Sequence, residues 1–235
     1  KSEHFYLNNI ENSLIKSPID FIIGMIKETD IVNKGVLYVN DGMNNYNSLF
    51  NYNYFGEKEK DISHIKYQIG MTIKYYSENL GMGLLAPPSV SGWPAYYQEP
   101  VYDLFWLNSS TFQSRFNLSK NFMSDGVWID ALINGRQIRC RPNIIEYLNS
   151  FSNPFEYTSF IEEMTFRLLG GEPSSSTLLD LNQALLGGNS EDHWKEELEK
   201  ILLTDNPDES SYYSISWRIG AAFEVVGTSG EFHLF

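Results

Sequence analysis

The chain has 235 residues, 42% of them hydrophobic and 20% charged, which suits one or two packed domains at about 150 residues each and excludes wholesale disorder or a small disulfide-stapled scaffold. Thirty acidic residues against 17 basic ones give a formal charge of −13, a surface potential that repels phosphate backbones and anionic lipid. Nucleic acid and membrane insertion are therefore not expected, and no apolar run approaches the roughly 18 residues that cross a bilayer.

The first strong element opens at Ser17-Pro18-Ile19-Asp20, an N-cap hydroxyl followed by proline at the first helical position and an acid in the first turn. The spacing of Ile19, Ile22, Ile23 and Ile26 predicts a helix to about Glu28 with a buried face. Gly35 to Glu59 is rich in Asn, Tyr and Gly and lacks a sustained period, so it reads as a long loop with a short strand at Val36 to Val39. A second helix is predicted from Asp61 to Leu80, with Ile62, Ile65, Ile69, Ile73, Tyr76 and Leu80 on one face and Gly81 ending it.

Prolines and Gly92 forbid a regular helix or central strand over Leu84 to Asn108, leaving an ordered aromatic loop. A helix follows from Ser109 or Ser110 to about Met123. In Val127 to Arg141, Asn134-Gly135 between two apolar runs marks a hairpin turn. Beyond Pro142 helices are predicted over Ile144 to Asn149, Thr158 to Leu169, Ser175 to Leu186, Ser190 to Leu203 and Ser211 to Val226. Gly170-Gly171, Gly187-Gly188 and Gly227 stand where C-terminal glycines belong. Leu178, Leu181, Leu185, Leu198, Ile201, Leu202, Ile215, Ile219 and Phe223 are expected to face inward. The fold class read from this pattern is mainly α: a bundle-like, multi-helix domain with long irregular loops and at most a small β-hairpin. A helical part over residues 1–126, carrying the Pro/Trp-rich loop, and a second over 127–235 are expected to pack as one unit.

The run Pro87-Pro88-Ser89-Val90-Ser91-Gly92-Trp93-Pro94, then Trp106-Leu107-Asn108-Ser109 and then Arg115, resembles the signature of the DUF1800 family of unknown function. Leu14 to Phe21 resembles an N-terminal helix of that family, and Gly230-Glu231-Phe232-His233-Leu234 resembles its C-terminal motif. Ser89 and Ser91 stand where the family usually has Asn and Ala. The resemblance implies a mainly helical C-terminal portion of a larger bacterial protein, exported to the periplasm or beyond and often encoded beside a sulfatase-like protein. It implies no established activity. The chain opens Lys1-Ser2-Glu3-His4 without a methionine or an apolar leader, which reads as a mature or trimmed chain.

Chemistry-bearing motifs are sparse. His4, His64, His193 and His233 have no zinc-ligand spacing, so no metal or cofactor is expected. Gly-x-Ser-x-Gly and phosphate-loop patterns are likewise absent. Cys140 lies among Arg136, Arg139 and Arg141, which could lower a thiol's pKa or bind an anion through forked hydrogen bonds; an inert thiol and surface ion pairs are the plainer alternatives. Glu99 and Asp103, four apart amid aromatic rings, have the composition of a glycosidase carboxylate pair.

The aromatic loop is the remaining signal. Trp93, Tyr96, Tyr97 and Trp106 could stack on sugars while Gln98, Glu99 and Asn108 bind hydroxyls, or the rings could form the loop's own core, with Trp93 buried against the Asp61 to Leu80 helix. The reading that results is an assembly or ligand-binding module, with a glycan or a sulfatase-like protein as partner. A polysaccharide-directed hydrolase or glycan-binding module is the alternative.

Overall fold

A computed structural model describes residues 16–40, 59–83, 86, 108–124, 126–133, 136–204 and 208–233. The chain divides into two compact units: a sheet unit of Ser17–Asn117 with Asp125–Pro142, and a helical unit of Lys1–Lys16, Leu118–Ser124 and Asn143–Phe235. Helix dominates the described residues, in agreement with a mainly α fold.

In the sheet unit, α1 spans Pro18–Thr29. Ser17 caps it by accepting from the Asp20 amide at 3.2 Å, and Pro18 occupies a first-turn position where no amide is needed. Phe21, Ile22, Met25 and Ile26 are buried. Ile19 and Ile23 are only half-buried, so the core stripe is rotated toward Phe21 and Met25, the larger side chains. Asp30 breaks the helix in the left-handed region at φ 46°, its carboxylate accepting from Asn33 Nδ2 at 2.7 Å. A short α2, Ile31–Lys34, leads into β1, Val36–Asn40. Helix α3 covers Glu59–Asn79 and buries Ile69 and Ser77, with Leu80 buried just beyond it. Gly81 follows at φ 89°. Helix α4 covers Ser109–Ser124.

Strands β2, Val127–Ile133, and β3, Arg136–Arg141, pair antiparallel with an irregularity between Ile129 and Leu132. The expected hairpin is thus joined by a third strand, because β1 pairs with the free edge of β3 and gives the order β1-β3-β2. Its register runs from Val36 opposite Arg141 to Asn40 opposite Gln137. Gly126 enters β2 at φ 72°, and a Cβ there would stand 2.2 Å from the Cys140 carbonyl oxygen. Only glycine meets both the backbone angle and the close approach.

The helical unit holds α5, Ile144–Asn149; α6, Tyr157–Leu169; α7, Ser175–Leu186; α8, Glu191–Leu202; and α9, Glu209–Thr228. Each begins on a side-chain cap: Asn143, Glu156, Ser174, Ser190 and Asp208 accept from amides two or three residues further along. Gly170 and Gly187 end α6 and α7 in the left-handed region, as expected. Gly227 does not end α9, which continues to Thr228. A Cβ at Gly227 would lie 2.2 Å from Ser119 Cβ, and Ser119 Oγ donates to the Gly227 carbonyl at 3.2 Å. The glycine is there for close packing on Leu118–Ser124 rather than for a stop.

Of the expected inward residues, Leu181, Leu185, Leu198, Ile201, Ile215, Ile219 and Phe223 are buried, while Leu178 is exposed and Leu202 half-buried. The core centres on Trp194, fully buried, whose indole N–H donates to the Pro154 carbonyl at 3.0 Å. Its ring lies 5.1 Å from Phe160, and Phe160 lies 4.6 Å from Phe151. At the C-terminal end, a 3-10 turn at Glu231–His233 buries Phe232 and His233. Glu231 Oε1 accepts from the Ser174 amide at 2.9 Å, placing a carboxylate at the start of α7. Lys16 donates its amide to the His233 carbonyl at 2.7 Å.

Candidate binding surfaces

Trp93, Tyr96, Tyr97, Gln98, Glu99 and Trp106 lie outside the described residues, as do Asp103, most of the Gly35 to Glu59 loop and the Asn134-Gly135 turn. Asn108, the described end of that motif, is the N-cap of α4. Its Oδ1 accepts from the Ser110 and Thr111 amides, each at 3.0 Å, and Thr111 Oγ1 accepts in return from the Asn108 amide at 2.9 Å. The Asn108 carbonyl oxygen is therefore engaged in starting the helix.

Less than two turns further along α4, Arg115 is fully buried. Its guanidinium carbon sits 5.1 Å from the centroid of the Phe21 ring, where a weakly hydrated planar cation meets the negative face of an aromatic. Burial lowers its pKa from the ordinary guanidinium value to about 10, which leaves it cationic at neutral pH. The motif's asparagine thus starts the helix, and its arginine reaches the α1 core.

Arg136, Arg139 and Arg141 all lie on β3. Alternation sets positions 139 and 141 on the side of the strand opposite position 140. Arg139 stands opposite Tyr38 on β1 and Trp128 on β2. Cys140 is fully buried, its thiol directed at the Ile31 carbonyl 3.8 Å away. That is the setting of a small core side chain rather than of an exposed nucleophile.

On the helical unit, α9 inverts the usual assignment of side chains. Arg218 is buried and Trp217, its neighbour, is 73% exposed. The cause lies on α8, where the buried carboxylate of Glu197 meets Arg218 Nη1 at 2.8 Å and His193 Nε2 at 3.5 Å. Holding Arg218 inward, with Ile215 and Ile219 buried on the same side, turns Trp217 outward. Tyr213, one turn earlier, is 54% exposed. Exposed Ser210 and half-buried Ser214 complete the i, i+3, i+4, i+7 face. A second exposed stripe, Tyr67, Met71 and Tyr75, lies on α3 of the sheet unit.

Sequence reasoning sought exposed rings in the Pro/Trp-rich loop and missed both helical stripes. The available signal for α9 was that Trp217 falls outside the Ile215, Ile219, Phe223 spacing. Among the described residues no three His, Cys, Asp or Glu side chains gather as metal ligands, and no helix is long and apolar enough to cross a membrane.

The family model for DUF1800, a protein of unknown function, matches residues 1–234. No curated protein and no solved structure matches the chain.

Proposed function

We propose, for a chain that belongs to the DUF1800 family of proteins of unknown function, that it serves as a ligand-binding module of an exported bacterial protein and that its ligand is a neutral glycan. The observation that carries this reading is the face of Ser210, Tyr213, Ser214 and Trp217 on α9, where a 73% exposed indole sits one turn from a 54% exposed phenol. Large aromatics left in water supply much of the binding energy at recognition surfaces, and flat rings flanked by hydroxyls suit a pyranose, whose C–H face is apolar and whose rim donates and accepts hydrogen bonds. Trp217 is held there by the Glu197–Arg218 pair beneath it, so the ring is presented by a rigid helix. Export and a partnership with a sulfatase-like protein follow from the family resemblance and belong to the same proposal.

The test is an array of neutral glycans probed with the chain and with Trp217→Ala. The variant is expected to keep its stability within about 0.5 kcal/mol, as surface substitutions do, and to lose binding at least about tenfold. Absence of glycan binding by the parent chain, or binding that survives loss of Trp217, would sink the reading.

A further inference from the structure

The aromatic face of α9 continues past Trp217 toward the C-terminal end of the helix. The spacing that joins Tyr213 to Trp217 brings Ala221 next, half-buried, and then Glu224. Glu224 is ion-paired with Lys120 at 3.1 Å, the two side chains being 36% and 51% exposed. Lys120 comes from the Leu118–Ser124 segment, which belongs to the same helical unit as α9.

These stations are evenly spaced. At a rise of about 1.5 Å per residue, Tyr213, Trp217 and Ala221 stand about 6 Å apart along the axis, which is close to the advance of one hexose in an extended chain. Three sugars laid parallel to α9 therefore meet a phenol ring, an indole, and a small alanine beside an ion pair. The rings are held from beneath. Buried Tyr212 meets the Tyr213 ring edge-on with centroids 5.9 Å apart, and the inward bond of Arg218 to Glu197 keeps Trp217 outward.

The chemistry of the stations selects the sugar. Aromatic faces are electron-rich and attract the weakly positive C–H groups of an apolar ring face. In a β-1,4-linked chain of gluco-configured hexoses every ring substituent is equatorial, so the ring hydrogens are axial and both faces are apolar. Successive rings of such a chain are turned over, yet each still offers a C–H face to the protein. An α-1,4-linked chain curves away from a straight helix, and an axial hydroxyl, as in mannose, puts a polar group on one face. Charge selects as well. Lys120 and Glu224 balance each other, offering a donor and an acceptor to hydroxyls, and the formal charge of −13 repels an anionic sugar.

We infer that the face from Tyr213 to Glu224 is a three-subsite platform for a neutral, β-1,4-linked, gluco-configured oligosaccharide lying along α9, which rests on the glycan reading above and adds its length and linkage. Tyr213 and Trp217 stack on the first two sugars. Lys120 and Glu224 bond hydroxyls of the third beside Ala221.

The test is isothermal titration calorimetry of the whole chain with β-1,4-linked glucose oligomers of one to six units and with the α-1,4-linked series. Affinity is expected to rise at least about fivefold with each sugar from one to three and to stay level beyond, with the α-linked series at least about tenfold weaker at equal length. Lys120→Ala, at an exposed position, is expected to bring the trisaccharide down to the affinity of the disaccharide while leaving the disaccharide unchanged. Ala221→Gln keeps a good helix former, fills the third position and is expected to do the same, whereas Tyr213→Ala weakens both sugars. A trisaccharide no tighter than the single sugar, equal binding of the two linkages, or trisaccharide binding indifferent to Lys120 and Ala221 overturns the platform and leaves the glycan reading in place. Absence of binding in both series overturns the platform too, and the neutral-glycan array, read separately, then decides the broader reading.

Discussion

The helical unit and the sheet unit reach order by different routes. In the helical unit each of α5 to α9 carries its own start signal within a few residues of its first turn, and the buried residues follow a helical period along one stretch of chain. The sheet unit depends on β1 meeting β3, in which Leu37 pairs with Cys140 across about a hundred positions of sequence. Local capping lowers the cost of forming a helix before it packs, whereas a long-range strand pair repays its loop-closure entropy only once the ladder forms. Side-chain identity therefore carries most of the order in the helical unit, and backbone approach carries most of it in the sheet unit.

The sharpest test of the first half of this contrast is Trp194→Ala. Trp194 is fully buried against Phe160 and Tyr157 and uses its only donor on Pro154. Its removal is expected to cost about 3 to 5 kcal/mol in chemical denaturation, with hydrogen-exchange protection lost across α5 to α9. A loss below about 1 kcal/mol, the scale of an ordinary surface change, would show that the ring cluster does not organise the unit.

Gly126→Ala tests the second half with the smallest possible side chain. It adds one methyl group at φ 72° and against the Cys140 carbonyl, so β3 must shift away from the chain entering β2. The expected cost is about 2 kcal/mol, read as lost amide protection in the β-strands. Unchanged protection there would mean that the sheet tolerates backbone displacement and that close approach is not what holds it.

The smallest effect concerns the α9 cap. Asp208 accepts from the Ser210 hydroxyl at 2.6 Å and the Ser211 amide at 2.8 Å, and these bonds, the hydroxyl's foremost, lower its pKa from 3.8 to about 2. Since the folded value lies below the unfolded one, the capping contribution is fully present above about pH 4 and fades as pH falls toward 2. The stability difference between the parent chain and Asp208→Ala is accordingly expected to be constant near neutrality and to close over that acid interval. A difference that persists unchanged to pH 2 would separate the cap from the carboxylate's charge.

The same contrast explains which features were legible in advance. Ser17-Pro18, the Gly170 and Gly187 terminators and the leucines of α7 and α8 were readable because the atoms that satisfy them lie within a turn or two of chain. The Asn134-Gly135 signal located the hairpin, but nothing in residues 36 to 40 said that they would extend it. Gly227 was misread because a glycine near a helix end looks the same whether it stops the helix or admits Ser119. Leu178 was misplaced because periodicity gives the spacing of an apolar stripe and not its width.

The candidate surfaces follow the same division. Composition and spacing are enough to make α3 and α9 helices, since propensity and period act along the chain. Whether Trp217 or Arg218 turns inward depends on Glu197 of α8 being there to receive a cation. The outward stripe of α3 likewise depends on which side of that helix the rest of its unit covers. Helix and cap are determined by neighbours in sequence. Exposure is determined by neighbours in space, because the free energy of burying a charge or an aromatic ring is set by what stands opposite it.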